Sequence, residues 1–532
     1  MLDRRRLLNC LMLLVLLRAA ALGAEVKSTS KRVTLSREIE SILRSSEAKR
    51  GHWGIEVVRL SDGKILYTRN AEQLYLPASN MKLFTTAAAL ERLGPDFRFR
   101  TTVEAEAPPD AAGRVENLFL VGRGDPTLGY QVIPNPVQLH GEGPPDADLQ
   151  EFARQLTEHG VRVIAGNLIV DETYFIDEPF GRGWEESNLQ FGYASPVTAL
   201  AFNDNALLMR STPGESVGAW AQVDLQPFPD YYTLINRILT SAKGTRKQIH
   251  IGRKPGSRRL EVWGQIAFGA EPDEDSIAVD DPPRWAAELF RKALEVRGVT
   301  LKGSIEVRGI TRAEASAPNF VPPNPSRVVL GKHLSAPLAD DIRTINKFSH
   351  NLHVEMLLRT LGKELKGRGS SNAGIEVLEE FVKDIGIEDN EAIFSDGSGL
   401  SRHSIIAPRA IIKLLRYMAK SPRSPVYVDS LPVAGEDGTL QDRFERTSAR
   451  GKIHAKTGTI EHVNALSGYM DLPSGERLAF SILGNEHPMR AHEGKQVVDR
   501  LAVTIYEQFG GRQKIKRRKR TVVTQPSPVG RG

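Results

Sequence analysis

A serine hydroxyl and a lysine amine stand three residues apart in Pro77-Ala78-Ser79-Asn80-Met81-Lys82-Leu83-Phe84-Thr85-Thr86-Ala87-Ala88-Ala89-Leu90. Pro77 suits the start of a helix, Ala87 to Leu90 are good helix formers, and Gly94-Pro95 ends the run. The stretch is predicted to form one helix of about four turns. Positions i and i+3 share a helical face, so Ser79 and Lys82 point together among apolar neighbours. Burial penalises the charged form of an amine, and a neutral lysine can serve as a base toward the hydroxyl. A surface helix with a capping serine and a solvated lysine gives the same four letters, which recur by chance. The pair therefore needs partners elsewhere.

Two later stretches supply them. In Asn346-Lys347-Phe348-Ser349-His350-Asn351-Leu352-His353-Val354-Glu355-Met356, Ser349 and Asn351 precede an apolar helix, a placement that projects a hydroxyl and an amide from a loop into a cleft. Gly451-Lys452-Ile453-His454-Ala455-Lys456-Thr457-Gly458-Thr459-Ile460 reads as an edge strand. There Gly458 lets a substrate backbone lie close, and Lys456 can meet a carboxylate. His350, His353 and His454 flank these motifs, but no His-Glu-x-x-His helix and no Gly-x-Ser-x-Gly elbow accompanies them. They are read as loop and strand side chains rather than as metal ligands or triad members.

Ser-x-x-Lys, Ser-x-Asn and Lys-Thr-Gly in this order form the known triple of penicillin-binding proteins and β-lactamases, so the step is a match to a pattern. From Ser79 to Ser349 is 270 positions, which points to a large insertion. The chain resembles the class C low-molecular-mass penicillin-binding proteins, the D-alanyl-D-alanine carboxypeptidase/endopeptidase family (serine peptidase family S13). Gly124-Asp125-Pro126-Thr127-Leu128, Asp171 with Phe175, Gly183-Trp184, Asp396-Gly397-Ser398-Gly399-Leu400-Ser401-Arg402, Leu431-Pro432-Val433-Ala434-Gly435 and Gly438-Thr439-Leu440 carry the resemblance across nearly the whole mature chain. His350 stands where the family usually has Asp, and Glu461 where Gln is frequent.

The resemblance implies an α/β (α+β) fold: a transpeptidase-like domain of antiparallel sheet and flanking helices, interrupted by an inserted domain. It implies a serine-type D-Ala-D-Ala carboxypeptidase and DD-endopeptidase, a hydrolase of peptidoglycan stem peptides that is acylated by penicillin at Ser79. Lys82, Ser349, Asn351 and Lys456 would be its other catalytic residues. Thr457, Gly458 and Thr459 would bind substrate, and Arg402, Asp171 and Phe175 would receive the residue before the D-alanines; Arg402 and Asp171 could instead pair with each other. No cofactor or metal is implied. An envelope β-lactamase or esterase uses similar groups but needs no large insertion, and an idle peptidoglycan-binding scaffold would be marked by loss of Ser79 or Lys82.

The elements that must position these groups divide as follows. Residues 25–95 open the catalytic domain, with a hairpin from Gly54 to Thr68 turning at Ser61-Asp62-Gly63 before the Ser79 helix. Residues 96–329 form the insertion, in which the glycine-rich Gly122 to Pro126 lacks phosphate-loop spacing and is a turn. A helix from Leu149 to His159 and another from Trp285 to Arg297 each run into a strand, a weak internal repeat. Strand-like runs at 219–225, 248–252 and 260–267 suggest a nested β unit over about 213–281. Pro318, Pro322, Pro323 and Pro325 read as a stiff linker, and residues 330–511 complete the catalytic domain.

A chain of 532 residues needs several domains. Arg4 to Arg6, an apolar run from Leu7 to Leu17 and small residues to Ala24 read as a secretory signal cut near residues 21–24, which predicts a periplasmic or secreted envelope location. Cys10, the one cysteine, lies inside it, which excludes disulfide scaffolds and thiol chemistry in the mature chain. Of the net charge of +6, the first 24 residues hold +3 and residues 512–532 hold +8, which leaves −5 for residues 25–511. The basicity belongs to a tail expected to be disordered and able to touch a membrane or cell wall, and gives no sign of a nucleic-acid-binding fold.

Overall fold

The computed structural model describes residues 35–45, 47–129, 144–321, 323 and 325–510. The leader, the basic tail and Pro322 of the linker lie outside the described residues.

The chain builds a five-stranded antiparallel sheet in the order Ile453–Ile460, Val463–Asp471, Arg477–Asn485, His52–Arg59, Ile65–Arg69. The predicted hairpin supplies the last two strands, and Lys456, Thr457 and Gly458 lie on the opposite edge strand. The central strands are buried along almost their whole length because both faces are covered. On one face Ile55, Val57, Leu466 and Phe480 pack against the helix Ala491–Gly510 and the helix at 35–43. On the other, Val58, Ala465 and Leu483 meet a helical layer that includes Pro408–Met418, Leu338–Phe348 and Asn351–Lys366. Within that layer runs the helix Lys82–Arg92, whose residues from Lys82 to Leu90 are all buried.

The insertion has its own mixed sheet, Ile305–Ile310, Leu168–Ile176, Leu118–Val121, Arg100–Ala105, Val328–Leu334. Its last two strands pair antiparallel, so the chain leaves and re-enters the helical layer at one place. The sheet thus takes in Val328–Leu334, past position 329. The two helix-plus-strand segments lie side by side: Ile305–Ile310 pairs in parallel with Leu168–Ile176, and Thr300–Leu301 with Val163–Ile164. Helices Ala147–Glu158 and Pro282–Val296 pack together above them, with Phe152 edge-on to Phe290. The nested β unit begins at Ala206–Thr212 and contains Thr233–Ser241, a strand the sequence reading missed, paired in parallel with Arg259–Ala267.

Candidate active site

Ser79 lies not in the α-helix but in a 3₁₀ turn, Ala78–Met81, that feeds the helix beginning at Lys82. Two contacts hold the chain in this tighter form. Asn80 Nδ2 donates to the Lys456 carbonyl at 3.1 Å and ties the turn to the edge strand. Ala78 sits at φ +45°, and its carbonyl is so close to Gly399 that a Cβ there would lie 1.9 Å away. In a 3₁₀ turn positions i and i+3 eclipse, which aligns Ser79 with Lys82.

Lys82 is fully buried. Its Nζ lies 3.0 Å from Ser79 Oγ, 2.6 Å from Asn351 Oδ1 and 2.8 Å from the Ser398 carbonyl. The last two are pure acceptors and take two N–H groups, so the third direction of a neutral amine is a lone pair facing the serine hydroxyl. Burial brings the lysine's pKa down to about 7, against the opposing pull of Asp396 and Glu355.

Ser349 occupies the left-handed C-cap of Leu338–Phe348 at φ +62°, and Asn351 opens the next helix. This kink turns Ser349 Oγ to Lys456 Nζ at 2.9 Å while Asn351 reaches Lys82. Asn351 Nδ2 donates to the Tyr193 carbonyl of the insertion at 2.7 Å. Lys456 also donates to its neighbour's carbonyl, that of Thr457, at 3.0 Å. Burial holds its pKa well below the ordinary range, and the charge of Lys82 pushes it further down.

A cleft of about 440 Å³ opens over these groups, with Ser79, Ser349, Asn351, Tyr193, Thr459 and Arg402 in its walls. The other expected substrate contacts are placed differently. Gly458 turns away from the cleft: a Cβ there would stand 2.8 Å from the Pro77 carbonyl, so the glycine admits the turn that carries Ser79 rather than a substrate backbone. Thr457 is buried, its hydroxyl 2.8 Å from that of Thr439. Arg402 reaches the cleft, where its Nε donates to Glu185 at 2.7 Å and its Nη2 lies 4.0 Å from Glu461. Asp171 does not join it. The Asp171 carboxylate is enclosed in the insertion by Arg327 at 2.8 Å, with Thr173 on its other oxygen, and it is absent from the cleft walls. Phe175 packs behind the Asn351 helix with Leu352 and Met356. The expectation that Asp171 and Phe175 receive substrate beside Arg402 is corrected on these contacts, and an Arg402–Asp171 bridge is likewise not formed.

The histidines form a buried network. His353 places Nδ1 2.6 Å from Asp341 and Nε2 3.0 Å from Asp204, while His350 Nε2 lies 3.3 Å from the same Asp204. Asp204, His350 and His353 could converge on a metal ion among the described residues. However, both ring nitrogens of His353 face carboxylates, and His350 Nδ1 accepts from the His353 backbone N–H at 3.5 Å. The network is thus accounted for as ion pairs. The carboxylates raise the pKa of His353 to about 10 against the cost of burial, while burial lowers that of His350.

The chain matches the family described as D-Ala-D-Ala carboxypeptidase 3 (S13) over residues 35–507. It belongs to that family. It is 36% identical over 494 residues to the D-alanyl-D-alanine carboxypeptidase of Actinomadura sp. (strain R39), a match that covers 91% of this chain and 86% of that one. It is 27% identical over 437 residues to the D-alanyl-D-alanine carboxypeptidase DacB of Haemophilus influenzae, covering 80% and 84%. The crystal structure of penicillin-binding protein 4 from H. influenzae superposes with a TM-score of 0.73 at 23% identity, over 88% of this chain and 98% of that one, and shares its fold. This S13 chain is a serine-type D-Ala-D-Ala carboxypeptidase of mixed α/β fold.

Several of the carboxypeptidase's site groups were not singled out from sequence. The Ser398 carbonyl and the Tyr193 carbonyl are backbone atoms and leave no residue-type signal. Glu185 and Thr439 lie in or beside segments quoted for the resemblance without a role. Glu355 had one usable signal, its place four residues after Asn351 on one helix face.

Proposed function

We propose that the enzyme acts through an acyl-enzyme on Ser79, with Lys82 as the base. The observation that carries this is the Lys82 amine, 3.0 Å from Ser79 Oγ with its other hydrogens directed to Asn351 and Ser398. Neutral Lys82 takes the Ser79 proton as Oγ attacks the carbonyl between two D-alanines. The backbone N–H groups of Ser79 and Thr459 receive the oxyanion, each donor of this kind contributing about 2.7 to 4 kcal/mol in the transition state. The leaving D-alanine takes a proton through Ser349, which is hydrogen-bonded to Lys456. Asn351 holds the substrate amide, and Thr459 in the cleft wall is placed to meet the terminal carboxylate. Water then hydrolyses the ester and restores Ser79.

Penicillin presents a strained amide to the same hydroxyl and is proposed to leave a stable ester on it. The same step cuts a peptidoglycan cross-link when the leaving amine belongs to a second stem peptide, which is the endopeptidase reading. An envelope location follows from the leader-like first 24 residues and from the polymeric substrate, and the basic tail is proposed as a contact to anionic lipid or cell wall. Mass spectrometry of the protein after penicillin, followed by analysis of monomeric and cross-linked muropeptides after digestion, tests the reading. An adduct on any residue but Ser79 would overturn it.

A further inference from the structure

Behind Lys82 lies a layer of buried charge to which the acyl transfer above assigns no task. Glu355 stands one helical turn after Asn351 and is fully buried. Its Oε1 accepts from the backbone N–H groups of Gly397 and Ser398, both at 2.9 Å, and its Oε2 accepts from Arg359 Nη1 at 3.2 Å. Burial and the nearby Asp396 raise the pKa of Glu355, but each of its partners is a donor, which favours the carboxylate and leaves no acceptor for a proton on it. Arg359 is also fully buried and spends Nη2 on the Glu178 carbonyl at 2.9 Å.

The two N–H groups that Glu355 grips lead directly into the peptide unit whose carbonyl, that of Ser398, accepts from Lys82. The other end of that unit, the Gly399 N–H, is held by Asp396 at 3.0 Å. Two carboxylates thus anchor the backbone that orients the base. Both also act on Lys82 through their charge, opposing the effect of burial, with Asp396 the stronger.

We infer that the buried Glu355–Arg359 pair is a positioning device for the base: Glu355 fixes Gly397 and Ser398 so that the Ser398 carbonyl meets Lys82, and the balance of its charge against Arg359 sets the pH at which Lys82 turns on. The inference rests on Lys82 being the base. Of the charged groups around Lys82, Asp396 and Glu355 favour its protonated form, Arg359 offsets Glu355, and Lys456 is a second buried amine whose own charge burial and Lys82 disfavour.

The test is the rate of acylation by penicillin, measured across pH for the full protein and for Glu355→Gln and Arg359→Gln. Removing the carboxylate should move the acid limb of the profile down by about half a pH unit or more, and removing the guanidinium should move it up by a similar amount. A purely structural role slows both variants at every pH and leaves the limb in place, which would overturn the inference. A buried partner left alone can prevent folding. Should either single variant fail to fold, Glu355→Met with Arg359→Met replaces the pair by apolar groups of similar volume. That double variant should keep the limb near the wild-type pH but acylate at least about tenfold more slowly, because Gly397 and Ser398 lose their acceptor; wild-type speed would overturn the inference. Lys82→Ala, run in parallel, separates the two ideas, since unimpaired acylation there sinks the base assignment itself.

Discussion

Lys82 and Asn351 meet at 2.6 Å, Nζ to Oδ1, across 269 positions of sequence. The contact joins the helix that begins at Lys82 to the loop that carries Ser349, and it uses an acceptor without charge. Asn351→Asp would put a carboxylate in that place and hold Lys82 protonated. Acylation at neutral pH should fall by about tenfold for each unit that the lysine's pKa rises, with the acid limb displaced upward and the alkaline rate partly retained. A uniform loss at all pH values would instead indicate that Asn351 matters through the substrate amide alone.

Ser79→Ala should abolish both the penicillin adduct and peptide hydrolysis while the protein stays folded. Lys82→Ala should slow acylation by about a thousandfold or more, the range expected for loss of a positioned base together with the disturbance of its neighbours. In the wild type the base must be neutral to act, and its pKa lies at about 7. The acylation rate should therefore rise with pH through that value. Stopped-flow measurement across pH 5 to 9 checks it.

Gly399 lies at φ +78° with the Ala78 carbonyl where its Cβ would go. Gly399→Ala has to displace the backbone next to Ser79, and both the strain and the shift should cost activity by about a hundredfold with a smaller loss of stability. Equal loss in kcat and in melting temperature across a graded series at this position would point to unfolding rather than misplacement.

Arg402 is engaged by Glu185 at the cleft wall. Arg402→Ala should lower turnover of peptides with diaminopimelate before the D-alanines far more than of diacetyl-Lys-D-Ala-D-Ala, because the first carries a carboxylate there. Glu185→Gln should favour the carboxylate-bearing peptide by releasing the guanidinium. Parallel changes on both substrates would assign the pair to structure.

His353 holds its proton up to a pKa of about 10 because Asp341 and Asp204 flank it. A histidine raised in the folded state stabilises fully below its unfolded pKa of about 6.5, and that contribution is lost as pH rises through the folded value. Urea unfolding should thus show His353-linked stability declining between about pH 6.5 and 10. Asp341→Asn should flatten this slope; an unchanged slope would exclude the network as its source.

The residues proposed for the site were legible because their chemistry is written in residue types at fixed local spacing: Ser79 with Lys82, Ser349 with Asn351, Lys456 with Gly458. The hairpin at Gly54 to Thr68 was legible for the same local reason, as apolar alternation around Asp62-Gly63. What escaped depended on partners far away in the chain. Asp171 looked like a substrate ligand until Arg327, 156 positions later, enclosed it. Gly458 looked like a substrate-facing glycine, but its neighbour is Pro77. The single predicted helix became a 3₁₀ turn plus an α-helix because Asn80 and Gly399 tie its start to other segments. Thr233–Ser241 was missed as a strand because its partner, Arg259–Ala267, runs parallel to it and its exposed edge shows no clean alternation.

The pairing of Arg100–Ala105 with Val328–Leu334 gives the insertion a single narrow stalk, with Phe99 N donating to Ser335 Oγ at 2.9 Å where the two strands meet the catalytic domain. A deletion that rejoined the chain at that stalk would span almost no gap. Yet it would also strip the Tyr193 carbonyl from Asn351 and the Asp204 carboxylate from His350 and His353, leaving an amide of the cleft wall without its acceptor and a buried imidazolium with Asp341 alone. A lineage could therefore discard this module only by rewriting positions 350, 351 and 353 in the same step, together with Arg359, whose guanidinium donates to the Glu178 carbonyl of the module.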